Sequence, residues 1–363
     1  MRSSFRKKWD DLDLKIESTY RKYAYRKKAK IRLKRMNGGF HCDKEYKEII
    51  VPFWAKYGYK PAKYWYQIFC DADQKVDPRY IPDDLYYGEM IPYFCNSKFR
   101  RFGEDKCYHD IWFPDVKRPK TICKNIAGVY YDSAMHTITF DEAVALVLAF
   151  EDECLIKPSI DSGEGRLIKF FTPKDATRAE VEEVFKEMGA NFILQAVVKQ
   201  HEVLARMNPS SVNTIRVVSF LFEGEVHILS CILRIGAPDA RVDNIGAGGY
   251  ACPIQMDGRL CAKAVNRRAE WVEANGANVR FADVKIPAFD KVIEIIRFAH
   301  KRIAHFKLVG WDISVDTQGD PVLIEYNTCP GSNQVSCGPT FGDLTERVLD
   351  EFFNKRVLAT AQN

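Results

Sequence analysis

The feature that most constrains this chain is a two-strand pattern near its C-terminal end, GWDISVDTQGDPVLIEYNTCPG over residues 310–331. The segment Val309–Val315 alternates as a strand does, residues 316–320 have the composition of a turn, and Pro321 begins a second, apolar strand. Two strands joined by so short a turn lie side by side. The pattern therefore predicts a hairpin.

This hairpin brings three oxygen-bearing side chains toward one point. Asp312 lies on the first strand, while Glu325 and Asn327 end the second, where a spacing of two residues puts them on one face. Carboxylate and amide oxygens suit Mg²⁺ when the ion also bridges phosphate oxygens. The hairpin is either a magnesium site or a surface turn with ordinary acidic residues, and the rest of the chain distinguishes the two.

Length and composition exclude several classes of protein. With 363 residues, 46% of them apolar and 28% charged, the chain has the composition of a soluble globular protein with two or three subdomains. It has no apolar run long enough to span a membrane, and its basic N-terminus lacks the apolar core of a secretory signal. The 11 cysteines include no CxxC pair, which favours reduced thiols over disulfides or a zinc site and predicts a cytoplasmic protein.

Positive charge is concentrated at the N-terminus. Residues 1–35 hold 14 Lys and Arg against four acidic residues, a net charge of +10, whereas the whole chain carries +5. Residues 3–36 lack Pro and Gly, and Asn37-Gly38-Gly39 ends the pattern, so we predict one long helix. Its apolar residues recur at roughly helical spacing: Phe5, Trp9, Leu12, Ile16, Tyr20, Tyr23, Ile31 and Leu33.

Three interpretations of this basic helix stay open. Its apolar stripe packs on the body of the protein, or residues 1–36 contact an acidic membrane surface, or they contact an anionic polymer or nucleic acid. No base-reading motif accompanies the charge, so we do not expect a nucleic-acid-binding protein. No pattern in the chain indicates its oligomeric state.

Residues 40–116 are rich in aromatic residues and dotted with proline. This composition predicts short helices between proline breaks, with the rings serving in the core or lining a substrate pocket. A more regular alternation follows. The strand candidates are residues 121–131 with an internal turn, 133–139, 154–156, 166–171, 191–198, 213–221, 225–235 and 250–255, and the helix candidates are 141–151, 177–188, 288–306 and 344–358.

A lysine and a small-residue loop form the second chemical feature. Lys157 ends a strand, and Ser162, Gly163 and Gly165 follow in a polar loop before the next strand. An ammonium supplies a point charge and small residues let backbone N–H groups approach, which is a way to hold phosphate. The loop matches neither GxxxxGK[ST] nor GxGxxG, and a plain hairpin loop is the alternative.

Two arginines lie in strands that read as buried, Arg216 in NTIRVVSFL and Arg234 in EVHILSCILRI. Arginine is seldom buried unless it meets an anion, so these strands indicate either a phosphate or carboxylate ligand or structural ion pairs. A second glycine-rich loop follows at residues 243–249, and no Ser-His-Asp or Cys-His nucleophile motif is present.

The order of these features resembles the ATP-grasp superfamily. The nearest resemblance is to ATP-grasp proteins associated with sugar-transfer and polysaccharide genes, and ribosomal-protein glutamate ligase is a more distant one. The resemblance covers about residues 117–345 and rests on GWDIS…LIEYNTCPG, LIKPSIDSGEGRLI and NTIRVVSF…ILRIGAPDARVDNIGAGG. It implies an α+β fold in which subdomains of residues 117–200 and 201–345 clasp ATP. A basic helix (1–39) and the aromatic-rich region (40–116) precede them, and a C-terminal helix (346–363) follows.

The resemblance also implies roles for individual residues. Lys157 and a second lysine would contact ATP phosphates, with Lys124 the first choice for the second and Lys117 and Lys120 its alternatives. The other implied site residues are Ser162, Gly163 and Gly165 over the phosphates, Gln195, Val197 and Val198 at adenine, His201 where many members have an acidic residue near ribose, the catalytic group Arg216, Arg234 and Asn244, and the Mg²⁺ ligands Asp312, Glu325 and Asn327.

The chemistry that the resemblance implies is carboxylate activation. A substrate carboxylate attacks the γ-phosphorus of ATP to give an acyl phosphate and ADP, and an amine then displaces phosphate to form an amide. We therefore expect a ligase for small-molecule carboxylates and amines, with sugar-linked and natural-product precursors among the candidates. A phosphotransferase on the same fold and a non-catalytic nucleotide-binding protein are the alternatives. The sequence does not identify the acid or the amine.

Overall fold

The computed structural model describes residues 2–71, 74–160, 167–268 and 270–361. The chain divides into two compact units. The first comprises Met1–Asn96, Phe306–Leu308 and Cys329–Asn363, and the second comprises Ser97–His305 and Val309–Thr328.

The first unit is helical. The long N-terminal helix predicted for residues 3–36 is confirmed, and short helices between proline breaks follow it, also as predicted. The helical segments are Arg2–Arg35, Asp43–Glu45, Tyr46–Ile50, Val51–Ala55, Lys63–Phe69, Asp83–Leu85, Tyr86–Met90, Ile91–Phe94, Gln334–Cys337, Gly342–Leu344 and Thr345–Ala361.

Two of these segments, Tyr46–Ile50 and Tyr86–Met90, are single π-helical turns. Each directly precedes a short α-helix whose second residue is proline, Pro52 or Pro92. Proline has no backbone N–H and its ring crowds the preceding turn, so the wider π turn lets the chain continue without a break.

The aromatic side chains of this unit form its core. Trp54, Tyr66 and Tyr86 are fully buried. Their polar atoms are satisfied locally: the Trp54 indole N–H donates to the Pro78 carbonyl at 3.0 Å, and the Tyr66 hydroxyl donates to the Tyr80 carbonyl at 3.1 Å. Burial of such rings with their hydrogen bonds made is strongly stabilising, which confirms core packing as the role of these aromatics.

The N-terminal helix packs through a face that the sequence did not suggest. Tyr25 stacks on Tyr87 with ring centroids 3.9 Å apart, Arg26 pairs with Asp84 at 2.6 Å, and Ala29 is 4% exposed. Five residues of the predicted apolar stripe are instead exposed to solvent: Leu12, Ile16, Tyr20, Tyr23 and Ile31. The interpretation in which this stripe packs on the body is therefore wrong. The stacking of Tyr25 and the ion pair of Arg26 instead determine which face of the helix packs against its unit.

The second unit contains two sheets. The first has six strands in the spatial order β3-β2-β1-β6-β4-β5, and the second has seven in the order β11-β10-β9-β8-β7-β12-β13. The strands are Thr121–Ile126 (β1), Val129–Tyr131 (β2), Thr137–Ile138 (β3), Cys154–Pro158 (β4), Lys169–Phe171 (β5), Phe192–Ala196 (β6), Ile215–Phe222 (β7), Glu225–Ile235 (β8), Tyr250–Pro253 (β9), Ala264–Asn266 (β10), Trp271–Val272 (β11), Leu308–Val315 (β12) and Pro321–Asn327 (β13).

Helices accompany both sheets, so the α+β fold class is confirmed. The α-helices of this unit are Arg100–Gly103, His109–Trp112, Phe140–Leu148, Arg178–Met188, Glu202–Ala205 and Phe289–His300, with 3₁₀ turns at Ser97–Phe99, Lys106–Tyr108, Pro173–Asp175, Ile245–Ala247, Phe281–Asp283 and Lys301–Ile303. None of the helices in the described ranges combines the length and apolar character needed to cross a lipid bilayer.

Several predicted boundaries need correction. The helix expected to begin at Asp141 is capped by Thr139, whose side chain and that of Glu142 form a reciprocal capping box. The strand expected from residue 166 covers Lys169–Phe171, and the one expected at 133–139 shrinks to Thr137–Ile138. Both are at the edges of the six-stranded sheet, where only one neighbour supplies hydrogen bonds.

A buried polar chain supports the strand that carries Asp312. The Trp311 indole N–H donates to the Ser219 hydroxyl at 2.7 Å, and this hydroxyl lies 2.7 Å from Nδ1 of His300. All three side chains are fully buried. Because β7, β12 and the helix Phe289–His300 each supply one partner, the chain fixes the position of β12 below the cavity described next.

Candidate functional site

A cavity of about 380 Å³ lies in the second unit, lined by residues of both sheets. Apolar side chains such as Leu155, Ile168 and Phe170 line it together with charged ones. Of the site residues expected from the sequence, those lining the cavity are Lys157, Gln195, Val197, Val198, Arg234, Asn244, Asp312 and Glu325. Residues separated by up to 168 positions in the chain therefore meet around one space.

Two arginines and two aspartates at this cavity form one ion-pair network. Arg216 donates hydrogen bonds to the Asp312 carboxylate through both Nε and Nη2, and Nη2 lies 2.7 Å from Oδ2. Arg216 therefore acts on the cavity through this carboxylate. Arg234 bridges Asp312 at 3.2 Å and Asp243 at 3.0 Å. Asp243 in turn accepts from the Thr214 backbone N–H at 3.0 Å. Arg216 pairs bidentately with one carboxylate and Arg234 bridges two, so both side chains are held in place on their strands.

The pKa values in this network follow from burial and from its charges. Burial alone would raise the pKa of Asp312, but Arg216 and Arg234 outweigh burial and lower it, so this carboxylate stays ionised. Burial raises the pKa of Asp243 despite Arg234 and Thr214. Burial alone would lower the pKa of Arg216, yet Asp312 raises it.

Two buried lysines face Glu325. Lys157, on β4, is 6% exposed and makes no ion pair with any described carboxylate. Burial, and after it the positive charge of Lys106, lowers the pKa of Lys157 to about 8, while Glu325 opposes the shift. Lys106 is 7% exposed and its Nζ lies 3.4 Å from Oε2 of Glu325. A cationic pocket of this kind favours an anionic ligand.

Lys106 was missed by the sequence analysis. It lies in the turn Lys106–Tyr108, which Asp105 caps by accepting from the Cys107 N–H at 3.0 Å. The backbone N–H of Lys106 donates to the Ser159 carbonyl at 3.0 Å, which ties this turn to the residues after Lys157. The stretch GEDKCY shows only an acidic residue followed by a lysine, and Lys106 precedes residues 117–345, which carry the resemblance, so no local pattern selects it.

The three lysines proposed as partners of Lys157 lie elsewhere. Lys124 is fully buried and pairs with Asp110 at 2.9 Å. Lys117 pairs with Asp316 and Asp320 in the hairpin turn, and Lys120 lies over the Phe150 ring. None of the three lines the cavity.

The hairpin has the predicted strands and one feature that was not predicted. Asp312 pairs directly with Glu325, but Ile313 pairs with Leu323, so Ile324 is an extra residue in β13. Such a bulge re-aims side chains, and both Ile324 and Glu325 line the cavity as a result. Asn327 pairs with Gly310 and is not among the lining residues.

The donor set of the hairpin fits Mg²⁺ provided that phosphate and water complete the shell. Asp312 and Glu325 offer hard carboxylate oxygens on adjacent strands, and Asn327 offers an amide oxygen two residues after Glu325. The Nδ2 of Asn327 is buried with no partner in the described part of the chain, which leaves this amide a donor for a phosphate or water oxygen and not a metal ligand through nitrogen. Within these residues no group of three or more His, Cys, Asp and Glu side chains could hold a metal by itself. Any cation here shares Asp312 with two arginines.

The segment after β6 was expected to contact adenine. Val197 and Val198 line the cavity, although the Val197 N–H donates to the Glu153 carbonyl at 3.0 Å. Gln195 is 1% exposed and lies near the hydroxyl of Thr121 at 3.4 Å. His201 does not line the cavity, because its Nδ1 accepts from the Val203 N–H at 3.2 Å and caps the next helix.

Asn244 and the loop at residues 243–249 border the cavity. The Asn244 side chain accepts from the Gly246 N–H at 2.8 Å and so caps the turn Ile245–Ala247. A Cβ on Gly249 would lie 2.3 Å from the Ile235 carbonyl oxygen, so only glycine lets the loop return to β9. Ser162, Gly163 and Gly165 lie outside the described residues.

One contact joins the two sheets across the lining. Arg241, from the loop after β8, pairs with Glu153 at 2.7 Å and lies 4.3 Å from the ring centroid of Phe170 on β5. All three residues line the cavity. No sequence pattern indicates this contact, because two charged residues and a strand phenylalanine become partners only once the two sheets are assembled.

Comparison with known proteins gives one family. Residues 120–341 match the sequence profile of a family described as sugar-transfer associated ATP-grasp. The match covers more than half of the chain and includes the predicted site residues except the alternative lysine Lys117. No curated protein sequence shows significant similarity.

Three solved structures of synthetases and ligases are remote neighbours of this chain. D-alanyl-alanine synthetase A from Vibrio cholerae O1 biovar eltor str. N16961 aligns with a TM-score of 0.41 and 15% identity over 71% of this chain and 65% of that one. D-cycloserine synthetase DcsG aligns with a TM-score of 0.41 and 15% identity over 70% and 71%. The L-amino acid ligase from Bacillus licheniformis aligns with a TM-score of 0.39 and 11% identity over 69% and 48%.

Proposed function

The chain belongs to the sugar-transfer associated ATP-grasp family, and we propose that its cavity binds ATP and activates a small-molecule carboxylate for attack by an amine. One observation carries the proposal. Lys157, Arg234, Asp312 and Glu325 converge on a cavity that also has apolar walls. A nucleotide needs both kinds of lining, apolar for the base and charged for the phosphates.

The phosphates of ATP would lie between the lysines and the arginines. Lys157 makes no ion pair with the described carboxylates, so its charge is available to a phosphate, and Lys106 stands beside it near Glu325. Arg234 lies on the opposite sheet and lines the cavity. Arg216 lies on that same sheet and reaches the cavity through Asp312. Fixed cations of this kind stabilise charge that develops on a transferring phosphoryl group without having to reorganise.

Asp312, Glu325 and Asn327 would hold Mg²⁺. When bound, the ion neutralises phosphate charge and aligns the phosphoryl group. The protein's own groups do the rest. They bind the nucleotide, orient the carboxylate against the γ-phosphorus, and keep water away from the acyl phosphate until the amine forms the C–N bond and phosphate leaves.

The base and ribose would occupy the remaining lining. Val197 and Val198 would flank adenine, and the Arg241–Glu153 pair with Phe170 would close over the nucleotide from both sheets. His201 caps its own helix and the Gln195 amide donates to Pro119 and Thr121, so Glu153 becomes the candidate carboxylate for hydroxyl or amino donors of the nucleoside. Sugar-linked acids or amines are the substrates to test first.

A trapping experiment tests the proposal. The protein is incubated with ATP, Mg²⁺ and hydroxylamine in the presence of individual amino acids, hydroxy acids and sugar acids. An acyl phosphate reacts with hydroxylamine, so a hydroxamate and an equal amount of ADP are expected for the correct acid. ADP with a stable phosphorylated product and no hydroxamate would identify a phosphotransferase instead. Nucleotide binding without ADP for any acid–amine pair would identify a non-catalytic protein.

Lys106 and Lys124 give a sharp comparison within this proposal. Lys106→Met is expected to weaken ATP binding about tenfold to 100-fold, because it removes a cation next to Lys157 and Glu325. Lys124→Met removes one of the two cations that pair with Asp110 and leaves it Arg118 and the Thr121 hydroxyl, so it is expected to lower the melting temperature more than it changes ATP affinity. Calorimetric titration and thermal unfolding of both variants provide the measurement. Loss of ATP binding only in Lys124→Met would return the second lysine to Lys124.

A further inference from the structure

The N-terminal helix presents a continuous exposed face that its own unit does not use. Exposure is 45% at Leu12, 59% at Ile16, 71% at Tyr20 and 66% at Tyr23. Successive spacings of four and three residues keep these positions on one side of a helix. Large apolar side chains exposed in a row, rather than scattered singly, indicate a surface that binds something.

The same face becomes basic toward the C-terminal end of the helix. The next positions in the same spacing are Lys27, Lys30 and Lys34, and all three are exposed. Leu12 to Lys34 spans about 33 Å along the helix axis. The face thus combines apolar, phenolic and ammonium groups along one line, which we call the exposed stripe.

The opposite side of the helix explains why the stripe stays free to bind. Gly88 lies so close to the helix that a Cβ there would be 2.7 Å from Cγ of Lys22, and Tyr25, Arg26 and Ala29 complete this packed side. The helix is therefore anchored through one side, and its orientation fixes which residues face outward.

The composition of the stripe selects one class of partner. Residues 1–35 carry a net charge of +10, so the partner is anionic. A hydrated polyanion offers no apolar environment in which the aliphatic side chains of Leu12 and Ile16 could be buried. The boundary between lipid headgroups and acyl chains accepts aliphatic groups, favours tyrosine, and attracts lysine when the lipids are acidic.

We propose that the exposed stripe docks the protein on an anionic membrane surface. The helix lies in the plane of the interface, with Leu12, Ile16, Tyr20 and Tyr23 inserted at the headgroup level and Lys27, Lys30 and Lys34 on acidic headgroups. Attachment through so short an apolar patch is reversible, and each lysine near the surface contributes about fivefold to the binding constant.

Vesicle co-flotation of the full-length protein tests the proposal. Vesicles of phosphatidylcholine with roughly one third phosphatidylglycerol are expected to bind at least about tenfold more protein than vesicles of phosphatidylcholine alone, and about 0.5 M salt should release most of it. The combined variant Ile16→Ser, Tyr20→Ser, Tyr23→Ser is expected to lose about 90% of the binding at unchanged melting temperature, because these side chains are already exposed.

Leu14 supplies a matched control. It is 39% exposed on the same helix, but its position lies well away from the stripe. Leu14→Ser should bind vesicles as the unchanged protein does. Equal loss in Leu14→Ser and the triple variant, equal binding to both vesicle types, or a preference for duplex RNA that the triple variant keeps would each overturn the proposal.

Discussion

Replacing Asp312 with asparagine is expected to lower the ATP-dependent rate by about 100- to 1000-fold. Asp312 is 2% exposed, faces Glu325 across the hairpin and accepts hydrogen bonds from Arg216 and Arg234. The amide keeps the size of the side chain but loses the charge that a metal needs and that the two arginines balance. The measurement is ADP release at saturating ATP with the acid identified by trapping.

The same substitution is expected to destabilise the protein, because it leaves two largely buried guanidinium groups without their shared carboxylate. The rate is therefore compared only after thermal unfolding has shown that the variant is folded at the assay temperature. Asp320→Asn is the matched control. Asp320 lies in the turn of the same hairpin, its side chain is 48% exposed and it pairs with Lys117, so its rate should change less than about twofold. A folded Asp312→Asn protein with a normal rate would contradict the assignment of this carboxylate.

The second large effect is expected from Lys157 and pH. Burial and Lys106 lower the pKa of Lys157 to about 8, so the free protein loses this positive charge as the pH rises through that value. Phosphate favours the ammonium form, so ATP binding raises the pKa and takes up a proton. We therefore expect ATP affinity to be nearly constant between about pH 7 and pH 7.5, and to fall toward tenfold per pH unit above about pH 8.5.

Titration calorimetry in buffers of different ionisation enthalpy measures both the affinity and the proton uptake. Lys157→Arg keeps a charge that does not titrate in this range and should remove the pH dependence, whereas Lys157→Met should weaken binding about 100-fold or more at pH 7. Lys120→Met is the control variant for ATP affinity, because Lys120 lies over the Phe150 ring. An unchanged pH profile in Lys157→Arg would show that another group is responsible.

Much of the second unit was predictable because its signals are local. Alternation, turn residues and Pro321 predicted the β12–β13 hairpin almost to the residue, and the start and end of β8 were predicted without error. The helix predicted over residues 177–188 begins at Arg178, because Thr177 and Glu180 form a capping box in front of it. Lys157, Asp312 and Glu325 could also be selected, because Lys157 stands at a strand end before a small-residue loop and the two carboxylates lie on the paired strands of one hairpin.

The remainder depends on contacts between distant segments. Lys106 could not be selected from its own neighbours, since its meaning comes from Glu325, which follows more than 200 positions later. The periodicity of the N-terminal helix was correct, but periodicity does not say which side meets the protein, and the stacking of Tyr25 on Tyr87 decided it. The pairing of Arg216 and Arg234 with one carboxylate likewise required β7, β8 and β12 to be assembled.

The extra residue Ile324 gives β13 two independent alternations. On one side of the bulge Leu323 faces Ile313, and on the other Glu325 faces Asp312, so the part of the strand that builds the core and the part that builds the cavity are out of phase. Before the bulge Val322 and Leu323 are buried, whereas after it Glu325 lines the cavity and its neighbour Tyr326 packs in the core. An exchange of apolar side chains at Val322 or Leu323 can therefore leave the carboxylate of Glu325 in place, so the packing of this strand and the chemistry of the cavity can vary separately.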